Sequence, residues 1–111
     1  MEGRRVGTLR YRVIKAPSLG LLRMLARRAS PAVRERIEKG PWDAVALVMD
    51  NLPNLFFYAD VAEKRANVLV EEIQGICPQH FSMIAIFGDT ASVEAAISAI
   101  LEEARGLSEG G

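Results

Sequence analysis

A chain of 111 residues, half of them hydrophobic and a quarter charged, has the size and mix of one globular domain that buries about two-thirds of its unfolded surface. No apolar run reaches the roughly 18–20 residues that span a bilayer, no hydrophobic signal region opens the chain, and a single cysteine forms no internal disulfide, which together fit a cytoplasmic protein without a membrane partner. Net charge is zero but segregated: residues 1–28 hold eight basic side chains against Glu2 alone, and the remainder six basic against thirteen acidic, which excludes a uniformly basic or acidic surface.

In chain order, residues 1–7 are polar and glycine-punctuated and read as a flexible N-terminus. Thr8–Lys15 alternates, with Leu9, Tyr11 and Val13 on one face and Arg10, Arg12 and Ile14 on the other, the pattern of a half-buried strand. Ala16-Pro17 ends it. Ser18 then caps a helix to Arg28 with Leu19, Leu22, Leu25 and Ala26 inward. Ser30-Pro31 opens a short helix that stops at Gly40, and its run of charges reads as a solvated surface. Trp42 is expected to cover a core edge. Ala44–Met49 is continuously apolar, hence a central strand. After a turn at Asn51–Asn54, a helix to about Ala66 is expected to turn Phe56 or Phe57, Val61 and Ala62 inward.

Val68–Ile73 and Phe81–Phe87 read as neighbouring strands. Gly88-Asp89-Thr90 is a turn with a cap. The last helix carries Val93, Ala96, Ile97, Ile100, Leu101 and Ala104 at 3,4 spacing, with Gly106 as its stop and residues 107–111 as a loose tail. The order predicts an α+β domain over residues 8–106: a four-stranded antiparallel sheet with helices on one face.

Between the paired strands, Gln74–His80 holds the only cysteine and the only histidine, Cys77 and His80. Gly75 admits backbone angles that a side chain forbids, and Pro78 fixes its own φ, so the loop reads as a holder for one thiolate-capable side chain. A lone cysteine is most often a small buried hydrophobe. Cys77 and His80 together also suit a zinc site completed by neighbours. No nucleophile–base pairing, phosphate loop or paired carboxylates can be read, and the adjacent Glu71 and Glu72 point to opposite faces of a strand, so no enzyme is expected. The arginines of residues 1–28 lack an accompanying aromatic stacking motif. Complementary oligomer edges therefore explain the charge split better than nucleic acid does.

Three stretches resemble a known family. Asp60–Val68 (DVAEKRANV), Ile84–Ala96 (IAIFGDTASVEAA) and Arg12–Ser18 (RVIKAPS) resemble the helix end, the strand with its G-D turn and helix, and the terminal stretch of the bacterial microcompartment (BMC) shell domain. The last of these is moved to the front, as in circularly permuted members. The likeness spans about residues 8–105. It implies a circularly permuted BMC (ferredoxin-like) fold, a homohexameric tile that joins other shell proteins, and a location in a cytoplasmic microcompartment shell.

It also implies that Gln74–His80 lines the central pore and that Lys64 sits where tiles meet. The Gly-x-Cys-Pro sequence with Gln79 and His80 further resembles a permuted subgroup of glycyl-radical-enzyme compartments. That likeness implies Cys77 as ligand of an iron–sulfur cluster, of the 4Fe-4S kind, shared between subunits at the pore. Gly75, Ile76, Pro78, Gln79 and His80 would shape the loop, and the short N-terminus implies a pore without a capping barrel. A tile with a metal-free metabolite pore, or a ferredoxin-like module regulating through a small ligand, would share much of this pattern.

Overall fold

The computed structural model describes residues 3–75 and 81–110. Five strands form one antiparallel sheet, β1 (Gly3–Val6), β2 (Leu9–Lys15), β3 (Ala44–Asn51), β4 (Leu69–Ile73) and β5 (Phe81–Gly88), in the order β1-β2-β3-β5-β4. The helices are α1 (Leu19–Arg27), α2 (Arg34–Lys39, after a 3₁₀ turn at Pro31–Val33), α3 (Leu52–Arg65) and α4 (Thr90–Gly110). None among the described residues is long and apolar enough to cross a membrane.

The sheet has five strands rather than the four expected, because Gly3–Val6 pairs with β2 from Gly3↔Arg12 to Val6↔Leu9. Gly7 and Thr8 form the two-residue hairpin turn between them. Gly7 takes φ 60° there, the left-handed geometry that matches the twist of two-residue hairpins. Half of the segment that reads as frayed is therefore sheet, and Val6 packs against the core. Deleting residues 1–6 is accordingly expected to lower stability by about 2 kcal/mol, or roughly 8–16 °C in Tm. Thermal unfolding at matched concentration checks it; an unchanged Tm would mean that β1 adds nothing.

The sheet is covered on both faces, not on one. Strand alternation divides the core: Ala44, Ala46 and Val48 of β3 and Ile84 and Ile86 of β5 join Leu9 and Val13 under α3 and α4, which contribute Leu55, Tyr58, Val93, Ala96 and Ile100. Val45, Ala85 and Phe87 face the other way and meet Leu22, Leu25 and Ala26 of α1 and Ile37 of α2. Central strands buried on both sides explain why Ala44–Met49 and Phe81–Phe87 read as unbroken apolar runs. The short charged helix α2 is thus more than a solvated surface. Ile37 is completely buried, its carbonyl accepts a 2.9 Å hydrogen bond from Trp42 Nε1, and the Trp42 ring lies 5.4 Å from that of Phe87. Gly40 ends α2 at φ 60°, where a Cβ would come within 2.8 Å of the Trp42 backbone nitrogen.

Caps fix where the helices begin. Ser18 accepts from the Leu21 N–H at 3.1 Å, Asn51 from Asn54 at 3.1 Å and Asp89 from Ser92 at 2.8 Å. In α3 the buried positions are Leu55, Tyr58, Val61 and Ala62. Phe56 and Phe57, one of which was expected inside, are 63% and 42% exposed. Once Val61 and Ala62 are buried, the 3.6-residue period selects 58 and 55 and turns 56 and 57 outward. Leu19, expected inward on α1, is also exposed. Gly106 does not stop α4, which runs on to Gly110; one glycine costs a helix only about 1 kcal/mol.

Candidate functional site

The segment Gln74–His80 bridges β4 and β5, whose last paired residues are Ile73 and Met83. Ile76, Cys77, Pro78, Gln79 and His80 lie outside the described residues. The stems of the loop are within them, and they are held. The Gln74 N–H donates to the Arg28 carbonyl at 2.8 Å, and Arg28 Nη1 donates to the Gln74 carbonyl at 3.4 Å. The end of α1 therefore clamps the loop where it leaves β4. On the far side Phe81 pairs with Asn51, the N-cap of α3. Gly75 has no positive φ, and a Cβ there would meet no described atom within 4 Å. A neighbour's side chain is not what demands glycine at this position.

Beneath the Asn51 end of β3 lies a polar knot. Asp50 is 1% exposed, and its Oδ1 accepts from Thr8 Oγ1 and from the Asn51 N–H, both at 2.7 Å. Its Oδ2 accepts from Asn54 Nδ2 at 3.2 Å. The positive end of α3 lies alongside and offsets the carboxylate's desolvation. The knot also raises the Tyr58 pKa from 10.0 to about 12, through burial first and then the nearby Asp50 charge and a hydrogen bond to it. The hairpin turn, the end of β3 and the start of α3 are thereby locked beside the strand end from which the loop returns.

Glu71 and Glu72 do point apart: Glu71 is half-buried and Glu72 exposed. Burial raises the Glu71 pKa, the Glu63 charge adds to the rise, and Arg36 pulls it down. Lys64 stands in the last turn of α3, 73% exposed, and reaches Asp60 one turn back at 2.8 Å. Among the described residues no three His, Cys, Asp or Glu side chains come together as a metal site, and no catalytic constellation takes shape.

Two surface features escape a linear reading of the chain. A broad groove of about 640 Å³ lies on the α1 side of the sheet, lined by Arg5, Arg10, Arg12, Leu47, Met49 and Met83, with Tyr11 at its border. A smaller one of about 170 Å³ lies between α3 and β4, bordered by Phe56, Glu63 and Glu72. The alternation of Arg10 and Arg12 pointed toward the first. Arg5, Met49 and Met83 reach it from three other strands.

Residues 46–110 match the family described as BMC domain. Among solved structures, the chain is 43% identical to the GrpU microcompartment shell protein from Pectobacterium wasabiae, with a TM-score of 0.67 over 82% of this chain and 98% of that one. It is 35% identical to the GrpU microcompartment shell protein from Clostridiales bacterium 1_7_47FAA, with a TM-score of 0.61 over 84% of this chain and 91% of that one. No curated protein matches it. The family match covers more than half of the chain, from β3 through α4, and both shell proteins agree with it in sequence and in fold. The chain belongs to the BMC domain family of microcompartment shell proteins.

Proposed function

We propose that the chain is a circularly permuted shell tile: a homohexamer with the β4–β5 loop at its central pore, Cys77 as a ligand of an iron–sulfur cluster there, and Lys64 at the tile edge. As a shell protein it is structural, not an enzyme. The observation that carries the permutation is where the family match begins. It starts at residue 46, inside β3, so β2, which fills the sheet position beside β3, is supplied from ahead of the matched segment. The resemblance of Arg12–Ser18 to the family's terminal stretch points the same way.

The donor chemistry argues for a ring. One chain has one cysteine, whereas clusters are usually held by four thiolates. Six copies around an axis bring six, more than enough, from a loop whose stem Arg28 clamps. Cys77 would hold the cluster, with Gly75, Ile76, Pro78, Gln79 and His80 shaping its approach. The cluster would supply soft-metal binding, with redox capacity, to a wall that is otherwise protein. The subgroup likeness extends the reading to a compartment built around a glycyl radical enzyme.

The edge assignment is tested apart from the pore. The Lys64–Asp60 pair is exposed and one helical turn long, worth only about 0.3–0.5 kcal/mol, so Lys64→Asp leaves the fold and the ring intact. It is expected to abolish extended sheets and closed shells in electron micrographs. Wild-type sheets from the variant would place the tile edge elsewhere.

A further inference from the structure

Two patches of opposite sign stand on the surface without ion-pair partners among the described residues. In the first, Arg5 of β1 lies directly across from Arg10 of β2, and Arg12 follows two residues on, on the same face as Arg10. Like charges opposed across strands cost stability, and none of the three pairs with a carboxylate among the described residues. Their floor is Leu47, Met49 and Met83, side chains left half-buried on the sheet.

The second patch is apolar and acidic. Phe56 is 63% exposed and Leu52 40%, beside Glu63 and Glu72 along the cavity between α3 and β4.

The placement of the two patches decides how they can meet. The arginine groove lies toward the β1 edge on the α1 side, and the ridge, the rim of the α3–β4 cavity on which exposed Phe56 stands beside Glu63 and Glu72, lies toward the β4 edge on the α3 side. The edges are four strand spacings apart, about 19 Å. Two different patches that match each other make a head-to-tail contact, which closes into a ring when its rotation allows and cannot be a simple two-fold dimer.

We propose that the Arg5–Arg10–Arg12 groove of each chain receives the Phe56–Glu63–Glu72 ridge of a second copy, head to tail. Phe56 then covers Met49 and Met83, and the carboxylates meet the guanidinium groups. The proposal rests on the ring reading above and assigns the surfaces that would close it. An aromatic anchor ringed by desolvated charge pairs is the arrangement in which a few residues carry most of an interface's binding energy.

The test is native mass spectrometry on wild type, on R10E/R12E, on E63R/E72R and on an equimolar mixture of the two variants, with circular dichroism for folding. Each variant alone carries the same net sign on both patches, Arg5 being outweighed by two glutamates in R10E/R12E, and is expected to run as a folded monomer. The mixture restores opposite signs at every contact and is expected to reassemble into rings that alternate the two chains. Phe56→Ala, at an exposed position that leaves the fold untouched, is expected to raise the concentration at which rings dissociate at least tenfold. Rings from either charge variant alone, no reassembly on mixing, or an unaffected Phe56→Ala ring would each overturn the pairing while leaving the ring itself standing. A groove reserved for an acidic segment of another protein would show as an intact R10E/R12E ring, which also overturns it. A wild type without rings would instead remove the reading on which the proposal rests.

Discussion

Cys77→Ser is expected to remain colourless after anaerobic incubation with iron and sulfide, while wild type turns brown with broad thiolate-to-iron absorption. The effect is all or none, because serine replaces the one thiolate of a chain that has no second cysteine. The variant should keep the wild-type ring, since ring closure is assigned to the arginine groove and the α3 ridge rather than to the loop. R10E/R12E supplies the converse. It retains Cys77 but is expected to lose the ring, so it too should hold no cluster. A colourless wild type, or a serine variant that binds iron and sulfide at the same stoichiometry, would leave a plain pore lined by a small side chain.

Asp50→Ala is expected to cost about 3 kcal/mol, the largest stability loss among the substitutions considered. The truncation removes the shared acceptor of Thr8 Oγ1, the Asn51 N–H and Asn54 Nδ2; exposed Thr8 turns to water, while the groups of half-buried Asn51 and Asn54 each approach the cost of a buried unsatisfied group, about 1–3 kcal/mol. For a chain of this size that is roughly 12–24 °C in Tm, compared at matched concentration because assembly adds its own stabilisation. Asp50→Asn retains one acceptor and should lose less. An alanine variant within about 1 kcal/mol of wild type would show that the knot is dispensable.

The same knot has a signature in alkali. Folding raises the Tyr58 pKa from 10.0 to about 12. The stability this contributes is fully present below pH 10 and is lost as pH rises through about 12. That loss should be absent in Tyr58→Phe.

Patterns set by local periodicity were legible in the chain. The continuous run of β3, the 3,4 spacing of α4 and the caps at Ser18 and Asp89 all stand in the structure. What escaped depends on contacts distant in sequence. Gly3–Val6 is short, polar and glycine-led, and it becomes a strand only because β2 offers an edge in register. The pair Phe56-Phe57 announces burial but not against what; a hydrophobic side chain reads the same whether it faces its own core or a neighbouring subunit. The second helical layer was missed because α2 is almost all charged, and its one buried residue, Ile37, carries no periodic signal of its own.

At the candidate site, Lys64 was legible as an exposed residue at a helix end. The Arg28 clamp was not, since it joins positions 46 residues apart. The arginine groove collects side chains from β1, β2, β3 and β5, and sequence spacing alone does not bring those together.

The hexameric tile is tested most directly by native mass spectrometry of the untagged wild-type protein, across a range of concentrations and at low ionic strength. The expected result is a dominant species of six times the 12.2 kDa chain mass, persisting to low micromolar concentration. A monomer, dimer or trimer at every concentration would contradict the ring, and with it the shared cluster at the pore.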